Sequence, residues 1–259
     1  MDWISACAGF GVGVVVGLTG VGGGALMTPI LIMVFGVAPQ TAVGTDLMFA
    51  SITKFFGAAL HQRQGTVDWQ VVRRLAAGSI PAAAATALLL QSMEVGQIKD
   101  GLILKALGVA LVLTAVGLLF KNRLHSKGAR LRTETPAVFK AAQPGLTVLA
   151  GVILGVLVTL TSVGAGALGS VMLVYLYPYR LSAAKLVGTD LAHAIPLALT
   201  AGAGHLALGN VDFGLLGNLL AGSIPGILLG SILATRVAEG WVRNAIAVVL
   251  LYVGARLLI

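Results

Sequence analysis

The residues best suited to chemistry are a few ionisable side chains that lie inside long apolar stretches. In the first stretch, Asp46, Lys54 and His61 are spaced in helical steps, which places them on one stripe of a helix. In a second stretch His193 follows Asp190 one helical turn later, so the two side chains can lie side by side. A carboxylate in an apolar span marks a candidate proton or ion site, unless it caps a helix. We predict that Asp46, Asp190 and His193 exchange protons, the alternative for His193 being a structural hydrogen bond.

A tetrapeptide, Gly-Thr-Asp-Leu, occurs twice and contains both aspartates. Its threonines, Thr45 and Thr189, have hydroxyls that can cap a helix or bind a ligand. Lys54 lies in the first stretch, whereas Ala198 occupies the matching position in the second. The lysine can neutralise an anionic substrate, pair with a carboxylate of another helix, or extend to the membrane surface.

Two glycine clusters, 17–24 and 164–166, interrupt other apolar stretches. Irregular backbone at membrane depth is tolerated where it is buried in protein or lines a wet cavity. The helix that follows such a break presents unpaired N–H groups and the positive end of its dipole, so it can bind an anion without arginine. The alternative is that glycine only allows close helix packing. The predicted substrate-binding residues are Thr19, Gly20, Gly22, Gly23, Gly24, Thr45, Lys54, Ser162, Gly164, Gly166 and Thr189.

The composition excludes several classes of protein. Of 259 residues, 58% are hydrophobic, 35 are glycine and 10% are charged, against about 25% charged in an ordinary soluble domain. The net charge of +8 does not indicate a nucleic-acid partner, because the bases lie between apolar stretches. Cys7 is the single cysteine and cannot form an internal disulfide. No metal-binding, phosphate-loop or Cys/His motif is present, so we predict neither enzymatic activity nor a metal or cofactor.

Apolar stretches of about 20 residues, the length that crosses a hydrocarbon core of about 30 Å, define the expected spans. They predict spanning helices at 40–60, 70–91, 98–120, 184–204, 212–234 and 241–259. Regions 4–36 and 145–178 are too long for one straight span, so each is expected to form two half-length helices joined inside the membrane. The basic segment 121–143 is predicted to link a first transmembrane repeat, 1–120, to a second, 144–259.

The two halves match each other at a fixed offset of 144 residues. Residues 44–47 align with 188–191, and residues 78–81 align with 222–225. Shared Asp, His, Thr and Pro at one offset are difficult to produce by chance in an apolar chain. We infer a duplication.

Other polar residues at the ends of spans are expected to be structural. Asp68 and Asp212 precede spans and are each followed by an aromatic residue, a pattern typical of an N-cap beside an interfacial anchor. His61 and His205 end their helices just before a turn, where interfacial capping is expected.

The positive-inside rule indicates how the halves are oriented, since Lys and Arg concentrate in short cytoplasmic loops. If each broken region counted as one crossing, the bases at 61–74 would lie opposite those at 180–185. If each broken region enters and returns, or crosses twice, most of the 17 bases share one face. We therefore predict an all-α polytopic membrane protein of two inverted repeats, each with a broken or re-entrant first helix pair plus three spanning helices. Both termini are expected outside, with the linker cytoplasmic.

These motifs resemble the sulfite exporter TauE/SafE family, also called the 4-toluene sulfonate uptake permease family. The resemblance rests on Gly-Val-Gly-Gly-Gly-Ala-Leu-Met-Thr-Pro at 20–29, Ala-Val-Gly-Thr-Asp-Leu at 42–47 and Gly-Thr-Val-Asp-Trp at 65–69, with weaker second copies. In the second copy Ala167 and Leu168 replace the continuous glycine run.

The resemblance implies an inner-membrane secondary transporter for sulfite, sulfonates, sulfoacetate-like compounds or related small anions. Inverted repeats with broken helices recur in such carriers, with the substrate near the midplane. Alternating access with proton coupling is the expected mechanism, and the alternatives are an anion channel or a carrier for an unrelated small carboxylate. The expected partners are a small anionic substrate and the lipid bilayer, without nucleic acid, and a homo-oligomer is compatible with the sequence.

Overall fold

Ten α-helices make up the described part of the chain, which contains no β-strand. The structure is a computed structural model that describes residues 2–19, 24–93, 97–233 and 239–258. The helices are α1 (Trp3–Thr19), α2 (Gly24–Met33), α3 (Pro39–Arg63), α4 (Trp69–Ser92), α5 (Gln97–Glu134), α6 (Pro136–Thr161), α7 (Ala167–Leu176), α8 (Ala183–Ala207), α9 (Phe213–Leu233) and α10 (Glu239–Leu258).

Six of the described helices, α3, α4, α5, α6, α8 and α9, are long and apolar enough to cross a membrane. Five of them confirm predicted spans. The sixth predicted span, 241–259, coincides with α10, which has 20 residues. The remaining spanning helix, α6, begins inside the predicted linker.

The prediction of two half-length helices is wrong for the second broken region. Helix α6 has 26 residues and can span a membrane alone, while α7 has 10 residues and a length of about 15 Å. The difference arises because α6 already begins at Pro136. Proline is favoured in the first helical turn, where a backbone N–H would have no acceptor within the helix. In the first region α1 has 17 residues and α2 has 10. Residues 20–23 between them lie outside the described residues.

A glycine in the left-handed conformation and an aspartate cap connect α3 to α4 and, in the same way, α8 to α9. Gly65 and Gly209, at φ of +65° and +73°, follow α3 and α8 in the left-handed conformation that glycine adopts without strain. Asp68 and Asp212 then each accept a hydrogen bond, of 3.2 and 2.9 Å, from the backbone N–H three residues later. The predicted N-caps are therefore confirmed.

Helices of the first half pack mainly against helices of the second. Helix α3 packs against α8, α1 against α9, α4 against α6 and α5 against α10. Gly78 on α4 faces the carbonyl of Val148 on α6, and Gly222 on α9 faces the carbonyl of Ala6 on α1. A Cβ atom at either glycine would clash with that backbone. Close packing accordingly explains these glycines.

Two loops and the α5–α6 region meet on one face of the protein. Arg180, which follows α7, forms a two-point ion pair with Asp68, with N···O distances of 2.6 and 2.9 Å. Beside this pair lies a cavity of about 420 Å³, which we call the basic cavity. Its lining residues are Arg74, Arg132, Lys140, Gln143, Pro144, Tyr177, Pro178, Tyr179 and Arg180.

Candidate functional site

The predicted acids and the lysine come together in the interior, between α3, α8 and the α6–α7 break. Asp46 and Asp190 are 0% and 4% exposed, and Lys54 is 5% exposed. Lys54 is close enough to both carboxylates to interact electrostatically, although the direct ion pairs among the described residues lie elsewhere. We call Asp46, Lys54, Ser162, Asp190 and His193 the buried cluster.

Asp46 faces the short helix of its own half. Thr28 on α2 donates a hydrogen bond of 2.5 Å from Oγ1 to Oδ2 of Asp46. Ser162 lies near the same carboxylate. However, Asp46 Oδ1 and Ser162 Oγ are buried and make no hydrogen bond of acceptable geometry to the described residues. The Ser162 hydroxyl and the Asp46 carboxylate are therefore neighbours in the buried cluster.

Lys54 joins the two halves of the protein. Its Nζ donates a hydrogen bond to the carbonyl of Ala165 in the α6–α7 break. The buried position excludes an interfacial anchor, the third alternative for this lysine. A contact between Lys54 and substrate stays a prediction.

The α6–α7 break has the backbone of a tight turn. Ser162 ends α6 at φ +59°, and Gly164 and Gly166 have φ of +118° and +140°. The φ values of Gly164 and Gly166 suit glycine, which has no Cβ to clash. Helix α7 begins at Ala167, so the N–H groups of Ala167 and Leu168 have no acceptor within the helix. Binding of an anion at these N–H groups stays a prediction.

Asp190 faces α7 as Asp46 faces α2. A Cβ on Gly169 of α7 would lie only 2.5 Å from Asp190 Oδ1, so the glycine makes room for the carboxylate. Asp190 Oδ1 is buried without a hydrogen-bond partner among the described residues. His193 is bonded to Ser79 on α4, with an Nε2···Oγ distance of 2.8 Å. Within the described residues, no hydrogen bond joins Asp190 and His193, because the His193 imidazole reaches across to α4 instead.

Thr45 and Thr189 lie outside the buried cluster. Their hydroxyls accept hydrogen bonds of 3.0 Å from the backbone N–H groups of Asp212 and Asp68, respectively. The two bonds tie each central helix to the start of a helix in the other half. A ligand contact at these threonines stays a prediction.

The two histidines at helix ends behave differently. His61 Nδ1 lies 2.8 Å from Thr66 Oγ1 in the turn after α3, as expected for a cap. His205 is 1% exposed, and its Nε2 lies 2.9 Å from the Thr159 carbonyl of α6. The expectation of an interfacial cap is therefore wrong for His205, which instead links two packed helices.

The first glycine cluster is only partly described. Gly20, Gly22 and Gly23 lie outside the described residues, and Thr19 and Gly24 are described as the end of α1 and the start of α2. Within the described residues, no three His, Cys, Asp or Glu side chains are grouped to hold a metal ion.

Two members of the site were not predicted from the sequence. Gly169 resembles any packing glycine, and its distance from Asp190 in the sequence gives no signal of their contact. Ser79 is visible in the sequence only as part of the repeated segment 78–81, whereas in the fold its hydroxyl contacts His193.

Several spanning helices around buried carboxylates, a lysine and a broken helix are the features of a polytopic membrane transporter. The chain belongs to the sulfite exporter TauE/SafE family, whose model matches residues 5–257. The resemblance in the sequence motifs is thereby confirmed. The protein is an integral membrane transporter and not an enzyme.

Curated relatives support the same class. The chain is 43% identical over 252 residues to "Probable membrane transporter protein YjnA" of Bacillus subtilis (strain 168), covering 96% of this chain and 97% of the relative. It is 29% identical over 230 residues to "Probable membrane transporter protein YdhB" of the same organism, with 86% of each chain covered. No solved structure matches the chain significantly.

Proposed function

We propose that this protein is a secondary transporter that moves small sulfur-containing anions, such as sulfite, sulfonates or sulfoacetate-like compounds, across the inner membrane. The observation that carries the proposal is the position of Lys54. This buried cation lies between two buried carboxylates and bonds to the backbone of the α6–α7 break. A cation and free N–H groups beside an irregular backbone form an anion site at membrane depth.

Three groups are suited to hold the anion. Lys54 supplies the charge, the buried Ser162 hydroxyl lies beside the Asp46 carboxylate, and the first N–H groups of α7 lack partners within the helix. The predicted backbone contacts at Gly164 and Gly166 belong to the same break. The corresponding residues of the first half, Gly20 to Gly24, are proposed from the sequence alone.

The charges of the buried cluster support proton coupling. One lysine can compensate one carboxylate, so the other carboxylate requires a proton or another cation in an environment of low dielectric. When a monovalent anion binds against Lys54, both Asp46 and Asp190 then need a proton. Anion and proton are therefore expected to bind together, with His193 as a further proton acceptor.

Alternating access is proposed to act on two inverted repeats. The exchanged helix contacts support this arrangement, because α1 packs on α9 as α6 packs on α4. The matched Thr45–Asp212 and Thr189–Asp68 hydrogen bonds support it further. Rocking of the halves about the α3–α8 contact would expose the buried cluster to either side.

The ion pair between Arg180 and Asp68 supports the proposed orientation. It joins the loop after α3 to the loop after α7 on one face, as an odd number of crossings in each half requires. The bases of the linker segment, Arg132 and Lys140, line a cavity on that face. By the positive-inside rule this face is cytoplasmic, and both termini are outside.

The test is sulfonate uptake into proteoliposomes that contain a pH-sensitive dye. An alkyl sulfonate stays ionised throughout the assay and does not cross the bilayer as a neutral acid. Wild-type protein should carry protons with the sulfonate, and Asp46→Asn and Asp190→Asn should each reduce this proton movement at least tenfold. Asp212→Asn is the matched control, because Asn caps a helix about as well as Asp.

Two results would refute the proposal. The substrate class is wrong if sulfite, a sulfonate and sulfoacetate all fail to move under any imposed pH or voltage gradient. Proton coupling through the buried cluster is wrong if Asp46→Asn and Asp190→Asn both carry protons as the wild type does. An anion channel would instead show flux far above carrier turnover and no counterflow of labelled sulfonate.

A further inference from the structure

The basic cavity lies apart from the buried cluster and is assembled from four parts of the chain. Arg74 comes from α4, Arg132 from α5, Lys140 from α6, and Arg180 from the loop after α7. No acidic residue is among the described residues that line it. Four converging cations, one of them paired with Asp68, create a positive potential that favours an anion.

Most of these cations have no acidic partner within the described residues. Arg180 is paired with Asp68, whereas Arg74 donates a hydrogen bond of 3.3 Å to the Tyr177 hydroxyl. Arg132 Nη1 is buried and has no hydrogen-bond partner in the described part of the chain. A buried cationic donor without an acceptor is destabilising, so an acceptor supplied by a bound anion is expected here.

The chemistry and size of the cavity indicate which anion fits. Guanidinium groups bind phosphate oxygens through two parallel hydrogen bonds, and a lysine adds a point charge. A volume of about 420 Å³ exceeds that of ten water molecules, at about 30 Å³ each in the liquid. The space is therefore larger than a single inorganic oxyanion requires.

We propose that the basic cavity binds the phosphate of a larger molecule, which is either an anionic lipid headgroup or a soluble phosphate ester. The site is separate from the proposed sulfonate pathway and does not depend on which anion is transported. Basic pockets between helices on a cytoplasmic face are known to bind lipid headgroups, and the same donors accept a soluble phosphate.

The experiment measures binding to the purified full-length protein and does not require transport. Pyrophosphate is the soluble probe, titrated by calorimetry in detergent. The lipid probe is phosphatidylglycerol compared with phosphatidylcholine, measured by native mass spectrometry. Arg132→Gln is tested against Arg130→Gln, a matched control on the same helix whose side chain is 76% exposed and paired with Glu134.

We expect one of the two probes to bind and the binding to weaken as salt increases. Arg132→Gln should weaken it at least tenfold, whereas Arg130→Gln should change it less than twofold. Lys140→Gln is a second variant at an exposed position, so it tests the site even if Arg132→Gln fails to fold. It should weaken binding several-fold.

The two probes distinguish the two sources of phosphate. Preference for phosphatidylglycerol without pyrophosphate binding identifies a lipid headgroup, and the reverse identifies a soluble ester. The proposal is overturned if neither probe binds, or if Lys140→Gln and Arg132→Gln match the Arg130→Gln control. It is also overturned if a sulfonate displaces the phosphate probe, since the cavity would then belong to the transport pathway.

Discussion

Gly169→Ala tests the position of Asp190 without changing any charge. The added Cβ would lie 2.5 Å from Asp190 Oδ1, whereas ordinary contact begins at 3.4 Å. The carboxylate must then move by about 0.9 Å away from α7. Since a displacement of about 1 Å can slow a positioned group about 100-fold, we expect sulfonate uptake to fall between 10- and 100-fold.

The same substitution should leave the fold intact. Alanine is favoured over glycine inside a helix by about 1 kcal/mol, and the group that must move is a short side chain rather than backbone. Gly217→Ala on α9 is the matched control, because no atom lies within 4 Å of its added Cβ. Neither variant should melt below the wild type, and only Gly169→Ala should slow uptake in proteoliposomes.

The slowing must act through Asp190. In an Asp190→Asn background, where the position of the side chain no longer controls a proton, Gly169→Ala should cause little further loss of sulfonate affinity or residual uptake. Wild-type uptake by Gly169→Ala would refute the placement of Asp190 against α7. A full additional loss in the Asp190→Asn background would show that Gly169 acts by another route.

Two further substitutions test the charges. Lys54→Met removes the cation that the two buried carboxylates share, so the free energy of unfolding in detergent should fall by about 3–5 kcal/mol. The control Lys105→Met, at an exposed position, should leave it unchanged. A loss below about 1 kcal/mol for Lys54→Met would contradict the proposed charge balance. Burial raises the pKa of Asp68, but hydrogen bonds from Arg180 and the α4 backbone outweigh it and hold the pKa below its ordinary value of 3.8. A lowered carboxyl pKa stabilises the fold above the unfolded pKa, and this is lost as pH falls through the folded pKa. Arg180→Gln should therefore lower the melting temperature at neutral pH, corresponding to a loss of less than about 1 kcal/mol of stability. The difference from the wild type should vanish well below pH 3.8. An equal loss at both pH values would exclude this ion pair as the cause.

The sequence predicts those parts of the fold that depend on local signals. The length of an apolar stretch determines the spans, and the Asp68 and Asp212 caps follow from residue type and position. The start of α6 does not follow in this way, because its first turns lie in the basic segment 121–143, outside the long apolar stretch. These turns are held by tertiary contacts, including the Gln143 side chain on the Leu176 carbonyl and the Thr147 hydroxyl on Tyr177.

The sequence also predicts several members of the candidate site without predicting how they meet. Asp46 and Asp190 are visible because a carboxylate is unusual in an apolar span. Their shared electrostatic interaction with Lys54 depends on α3 packing against α8, which no local pattern encodes. For the same reason the sequence pairs His193 with its neighbour Asp190, whereas the fold pairs it with Ser79 on a distant helix.

The difference between Lys54 and Ala198 has a physical reason in this packing. Ala198 is 1% exposed, so a lysine there would bury a second cation in the same interior. Because α3 and α8 are in contact, Lys54 can interact with the carboxylates of both halves and also bond to the α6–α7 break. A second lysine would compensate both carboxylates in the empty site, so neither would hold a proton before an anion binds. With one lysine shared by two acids, one acid is protonated in the empty site and both are protonated when an anion is bound, so the proposed binding of an anion and the uptake of a proton depend on each other.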